Sequence, residues 1–165
     1  MIQKKVCMLG GFAVGKTSLV SRFVRSLFSD KYLTTVGVKI DKKTLTVDGQ
    51  DVTLMLWDIY GQDEFQSIQE TQLRGAAAYL LVVDGTRPST VDTALDVRQR
   101  IERVAGPVPF VVVCNKADLT DDWRLDDAAV AASFAGSAAV VRASAKTGEG
   151  VEEAFVTLTR ALLPR

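Results

Sequence analysis

The sequence predicts one α/β domain on a largely parallel sheet, with helices on both faces. Three observations predict it. Short apolar runs alternate with helical patterns from end to end. Two of those runs, Tyr79–Val83 and Phe110–Cys114, are apolar throughout, as strands covered on both faces are. The 165 residues hold no repeat, low-complexity stretch or linker, which is the length and texture of one ordinary domain. A chain of this size buries roughly 68–70% of its unfolded surface, so it can build a real core.

The elements follow in order. Val6–Leu9 is a first strand, closed by Gly10-Gly11 and followed by a helix over Lys16–Phe23. Val38–Val47 and Val52–Trp57 flank Asp48-Gly49, a strong hairpin signal. In the second arm Val52, Leu54 and Leu56 share one face, and Thr53, Met55 and Trp57 the other. Val91, Ala94, Leu95, Arg98 and Ile101 have helical spacing, with Ser89 or Thr90 expected as N-cap and Gly106-Pro107 as the stop. Ala138–Val141 reads as the last strand. Val151, Ala154, Phe155, Leu158 and Leu162 then form one stripe of a closing helix.

Composition excludes several classes. Twenty Lys and Arg balance twenty Asp and Glu, so the basic excess of a nucleic-acid-gripping protein is missing. With no His in the chain, no mechanism can use an imidazole base or ligand. Cys7 and Cys114 sit inside apolar runs and read as buried, reduced thiols in a cytoplasmic protein. No apolar run approaches the roughly 18 residues of a membrane span. The C-terminus, Leu162-Leu163-Pro164-Arg165, carries no C-a-a-X cysteine and no polybasic run, so no lipid anchor is expected.

The chemistry begins at Gly10-Gly11-Phe12-Ala13-Val14-Gly15-Lys16-Thr17, which matches G-x-x-x-x-G-K-[ST] between a strand and a helix. Glycines let such a loop wrap a di- or triphosphate with successive N–H groups pointing inward. Lys16 brings a charge to the β- and γ-phosphates, Thr17 a hydroxyl to Mg²⁺, and the helix its positive end. Asn115-Lys116-Ala117-Asp118 follows a buried strand and addresses the base. The carboxylate of Asp118 can accept from both N1–H and N2–H of guanine, whereas adenine offers no such pair of donors. At the end of the strand Val52–Trp57, Asp58 can hold a Mg²⁺ water and Gly61 can bring its N–H to a γ-phosphate. Ser144-Ala145-Lys146 follows the last strand, where a backbone N–H could donate to guanine O6.

Together, Gly10–Thr17, Thr35, Asp58–Gly61, Asn115–Asp118 and Ser144–Lys146 resemble the Ras-like small GTPases over essentially the whole chain. Thr35-Val36-Gly37 and Arg74-Gly75-Ala76 resemble Rab segments, and the loop Gly10–Thr17 is similar to a Rho-type P-loop with one change. The resemblance implies a P-loop NTPase fold: a mostly parallel six-stranded sheet with one antiparallel edge strand. It implies GTP and GDP as substrate and product, and Mg²⁺ as cofactor. The implied nucleotide-binding set is Gly10, Ala13, Val14, Gly15, Lys16, Thr17, Ser18, Phe28, Tyr32, Thr35, Gly61, Asn115, Lys116, Asp118, Ser144, Ala145 and Lys146. Phe28 would pack on the guanine, Tyr32 cover the phosphates, and Thr35 reach Mg²⁺ and the γ-phosphate. Thr17, Thr35 and (through water) Asp58 would serve the metal. Gln62, orienting the attacking water, and Lys16 would be catalytic. The partners implied are an effector, an exchange factor and an activating protein at switch I, around Thr35, and switch II, around Gly61-Gln62. The chain itself is expected to be a monomer.

Three departures bear on these expectations. Phe12 stands where related loops carry Gly or another small residue. Its ring would either obstruct an arginine finger, worth about 10³–10⁵ in rate, or fold back onto switch II. Tyr60 sits beside Gly61 and, by perturbing the loop of Gln62, predicts slow intrinsic hydrolysis. No arginine lies between Leu27 and Gln62 to act as a finger in cis. The missing tail leaves a shortened chain or a prokaryotic relative, and the Ala/Val/Arg/Asp-heavy composition favours the second. Two functions compete: a switch that hydrolyses GTP, and a GTP/GDP-binding interaction module with negligible turnover because of Phe12 and Tyr60. A small-molecule kinase would leave Asn115–Asp118 unexplained. Trp123, near Leu119 and Leu125, is expected to pack locally.

Overall fold

A computed structural model describes residues 2–25, 38–59 and 69–163. Six strands, β1 (Ile2–Gly10), β2 (Val38–Val47), β3 (Gln50–Ile59), β4 (Ala78–Asp84), β5 (Phe110–Asn115) and β6 (Ala139–Arg142), form one sheet in the order β2-β3-β1-β4-β5-β6. β2 pairs antiparallel with β3 across the turn at Asp48-Gly49, and every other pairing is parallel. This is the expected α/β sheet with one antiparallel edge. The exposed edge strand carries Lys39, Lys42 and Lys43, charges that discourage pairing with another chain.

Alternation along the strands builds two cores. From β1, Val6 and Met8 enter one cluster with Leu54 and Leu56 of β3, Leu19 and Val20 of α1 (Lys16–Arg25), and Phe155 and Leu158 of α5 (Val151–Leu162). Cys7 and Leu9 point the opposite way. They join Leu73 of α2 (Glu70–Leu73), Val97 and Ile101 of α3 (Ser89–Ala105), and Val130 of α4 (Asp127–Ser133). The helices therefore cover both faces, as the continuously apolar β4 and β5 require. Cys7 and Cys114 are buried and unbridged, and burial pushes both thiols up to about 12.

Several boundaries differ from expectation. β1 starts at Ile2, four residues early, and its neighbours accommodate Lys5 within it. The Lys5 ammonium lies 3.7 Å from the centre of the Trp57 ring and donates to the Arg74 carbonyl at 2.7 Å. The last strand covers Ala139–Arg142 rather than Ala138–Val141. Neither Ser89 nor Thr90 caps α3: Pro88 occupies that position, and the buried Thr90 hydroxyl accepts from the Asp84 N–H at 2.9 Å and donates to the Arg87 carbonyl at 2.7 Å. Trp123 packs within the domain, yet on segments distant in the chain rather than in its own loop as expected. Its ring lies so close over Gly85 that a Cβ there would meet it at 1.9 Å, and Arg142 stacks on it at 4.5 Å. Among the described residues no helix is long and apolar enough to cross a membrane.

Packing rather than surface charge holds the closing helix. Phe155 is 1% exposed and stacks on Phe23 with ring centroids 3.9 Å apart, whereas the Arg160–Asp48 ion pair at 3.0 Å is exposed at both ends. Phe155→Ala is expected to lower stability by roughly 3–5 kcal/mol and Arg160→Ala by about 1 kcal/mol or less. Urea unfolding of the two variants checks this, and comparable losses would contradict it.

Candidate nucleotide site

All the motif residues the structure describes lie at the carboxyl ends of the parallel strands. β1 sits where the strand order turns, with β3 on one side and β4 on the other, so a crevice opens beyond its carboxyl end. Residues 10–15 leave β1 and enter α1 there. A Cβ on Gly10 would stand 2.4 Å from the Val82 carbonyl, and one on Gly15, at φ 101°, would stand 2.3 Å from Asn115 Nδ2. Only glycine fits either position.

Every carbonyl from Gly11 to Gly15 has a donor. Lys16 Nζ donates to Gly11 O at 3.1 Å, Arg87 Nη2 to Phe12 O at 2.8 Å, and Lys116 Nζ to Ala13 O at 3.2 Å. Asn115 Nδ2 donates to Val14 O at 2.9 Å, and the Leu19 N–H to Gly15 O at 2.9 Å. The three central donors come from one side, the loops after β4 and β5. In a trans peptide the N–H points opposite to the C=O, and no described peptide is cis. The N–H groups of Ala13, Val14 and Gly15 are thus turned to the other side as an anion-binding concavity at the start of α1. Val14 is fully buried and anchors the loop into the core.

Lys16 is buried at the mouth of this concavity. Burial pushes its ammonium down to about 8, with the Asp58 carboxylate opposing in part. Thr17 Oγ1 donates to Asp58 Oδ2 at 2.5 Å, joining the first turn of α1 to the end of β3. No group of three or more His, Cys, Asp or Glu able to hold a metal occurs among the described residues. One hydroxyl and one carboxylate suit Mg²⁺, which takes few protein ligands and completes its shell with phosphate and water oxygens. Ser18 follows as a half-buried residue of α1.

The loops after β5 and β6 are stitched together. Ser144 Oγ donates to Asp118 Oδ1 at 2.7 Å, orienting a half-buried carboxylate, and the Thr147 N–H donates to Ser144 Oγ at 3.1 Å. The Ala145 N–H donates to Asn115 Oδ1 at 3.3 Å, so Asn115 touches both the P-loop and the loop after β6. Besides Arg87, two residues that the motifs do not contain complete the frame. Arg22 of α1 donates through Nε to the Ala145 carbonyl at 2.8 Å and through Nη2 to the Lys146 carbonyl. Asp84, fully buried at the end of β4, accepts from Lys116 Nζ at 2.7 Å and from Arg87 Nε at 2.9 Å. Burial alone would raise Asp84, but hydrogen bonds from Lys116, Thr86 and Arg87 outweigh it and hold the carboxyl below its ordinary range. The visible hint was an Asp at the end of an apolar strand followed within three residues by Arg.

A loop of this shape, tied to an Asn-Lys-x-Asp segment on the next strand but one, has counterparts. A sequence model of the Ras family matches residues 5–164. The chain belongs to the Ras family. This Ras-family protein is 32% identical over 164 residues to the human Ras-related protein Rab-19, covering 98% of the chain and 76% of the relative. It is 34% identical over 159 residues to Ras-related protein Rab-1D of Dictyostelium discoideum, covering 94% and 78%. It is 32% identical over 164 residues to the GTP-binding protein ypt1 of Schizosaccharomyces pombe, covering 98% and 80%. Phe28, Tyr32, Thr35, Tyr60, Gly61 and Gln62 lie outside the described residues, as does any contact of Phe12 with switch II. Phe12 itself is 49% exposed, its side chain presented at the rim rather than drawn into either core.

The depressed ammonium of Lys16 has a sign that can be checked. A polyphosphate beside Nζ favours the protonated form, so binding above pH 8 takes up a proton and weakens as pH rises. GDP affinity is expected to fall roughly tenfold between pH 7 and pH 9. Titration calorimetry in two buffers of different ionisation enthalpy checks this, and a flat profile with no proton uptake would contradict it.

Proposed function

We propose that this Ras-family protein is a GTP-binding switch that hydrolyses GTP to GDP and phosphate. The observation that carries the reading is the set of donors on Phe12, Ala13 and Val14, two of which come from the base-addressing segment Asn115–Lys116. A phosphate cradle held open by the segment that reads the base makes sense for a ligand that has both.

In this reading Asp118, oriented by Ser144, accepts from the N1–H and N2–H of guanine, and its carboxylate would be stranded by adenine. The inward N–H groups of Ala13, Val14 and Gly15 and the ammonium of Lys16 bind the β- and γ-phosphate oxygens and meet the charge that develops during transfer. Gly10 and Gly15 permit the close approach, and Ser18 extends the binding turn. The Ala145 N–H, already engaged with Asn115, fixes the Ser144–Lys146 loop beside the base. Thr17 and, through water, Asp58 would hold Mg²⁺, which neutralises phosphate charge when bound. Thr35 would join them in the GTP state. Phe28 and Tyr32 would enclose base and phosphates, Gly61 would sense the γ-phosphate, and Gln62 would place the attacking water. These roles rest on the resemblance of the motifs.

Switching requires that GTP and GDP hold the segments around Thr35 and Gly61 differently, so that an effector, an exchange factor and an activating protein can read the state. Tyr60 beside Gly61 makes intrinsic turnover slow, and the exposed ring of Phe12 narrows the approach of an arginine finger in trans.

Two measurements test the reading. GTP is expected to outcompete ATP by on the order of 10⁴, a preference that Asp118→Asn abolishes. Single-turnover phosphate release is expected on the order of 10⁻⁴ per second and slower still in Gln62→Leu. Equal retention of ATP and GTP, or phosphate release indifferent to Gln62, would overturn it.

A further inference from the structure

Ala13 has φ 57°, a left-handed conformation that strains a residue with a Cβ. A turn of the Phe12–Ala13 peptide would relieve it, and would swing the Ala13 N–H out of the cradle. Yet the peptides on both sides of Ala13 are held. Arg87 Nη2 takes the Phe12 carbonyl at 2.8 Å, and Lys116 Nζ takes the Ala13 carbonyl at 3.2 Å. Both cations are in turn fixed by one oxygen, Oδ2 of the fully buried Asp84, at 2.9 and 2.7 Å. The other oxygen of Asp84 is engaged by the Thr86 N–H and hydroxyl at 2.8 and 2.6 Å, so the carboxylate cannot turn to release them.

We propose that Arg87 is a positioning residue for the phosphate loop: with Lys116, and through Asp84, it pins the two peptides around Ala13 so that the Ala13 N–H stays turned toward bound phosphate. This inference rests on the reading of the loop as a nucleotide cradle. Lys116 belongs to the base-reading motif, whereas Arg87 sits on the loop after β4. The guanidinium suits the task because its planar fork places Nε on a carboxylate and Nη2 on a carbonyl at the same time. Removing it leaves Asp84 paired with Lys116, so the expected consequence is local: one peptide turns, and phosphate loses one donor.

The test is the release rate of a fluorescent GDP analogue from the full chain, together with the ratio of GDP to IDP affinity. IDP keeps the diphosphate and lacks only the guanine 2-amino group, so the ratio reports on the base pocket alone. Arg87→Met, which keeps the aliphatic stem, and Arg87→Ala are both expected to speed release roughly tenfold with the GDP/IDP ratio unchanged. In an Ala13→Gly background, where a left-handed residue carries no strain, the same Arg87 changes are expected to speed release less than about threefold. Four results would overturn the proposal. They are unchanged release, an effect of Arg87→Ala absent from Arg87→Met, an effect undiminished by Ala13→Gly, and a shift of the GDP/IDP ratio along with release. If the unaltered protein binds no GDP, the functional reading itself fails, a separate outcome.

Discussion

The site depends on hydrogen bonds that the protein makes to the back of its own P-loop. A loop that binds anions through N–H groups must present several of them in one direction, and an isolated peptide chain has no reason to do so. Here the opposite ends of the same peptides are occupied by Arg87, Lys116 and Asn115. The orientation of the concavity is therefore set by the protein's own donors, and such preorganisation makes fixed dipoles effective against charge. In the proposed function it also links phosphate binding to base recognition, since Asn115 and Lys116 sit in the segment that ends in Asp118.

The sheet makes this possible by bringing the loops to one rim. Parallel pairing aligns the carboxyl ends of β1, β3, β4, β5 and β6, and with the two faces taken by apolar clusters the polar groups of the site gather at that rim. Asp84 is the instructive case. A buried carboxylate is costly unless paired, and it is paired with two cations that each also donate to a P-loop carbonyl. The cost of burial is offset by partners that also shape the cradle. Arg22 repeats the logic on the other side, fastening α1 to the carbonyls of Ala145 and Lys146.

Much of this was legible in the sequence. Strands β4 and β5 announce themselves because burial on both faces leaves no polar position, and the hairpin because Asp48-Gly49 turns between long extended arms. Gly15 and Asn115 could be named from motifs whose residues touch ligands through side chains or need a missing Cβ. Arg87 and Arg22 could not, for a physical reason: their partners include main-chain carbonyls, which every residue possesses, so no residue pattern marks the acceptor. Asp84, which accepts from Lys116, Arg87 and Thr86, left only the hint of an Asp closing an apolar strand. The short α4 was missed because its run of alanines supplies one buried apolar residue, Val130, and no stripe; the capping Asp126, which accepts from the Ala128 and Ala129 N–H groups, was the available signal. The N-cap at Pro88 was missed because Thr90 looks like a cap yet turns its hydroxyl back to the loop.

The claim that the base-reading segment builds the phosphate cradle is tested most directly with a ligand that has no base. Inorganic tripolyphosphate, competed against a fluorescent GDP analogue, should bind Asn115→Ala more weakly than the unaltered protein, by roughly tenfold for a lost hydrogen bond that also leaves the loop unpinned. If tripolyphosphate binds both equally while only GDP is weakened, Asn115 serves the base alone and the account is wrong.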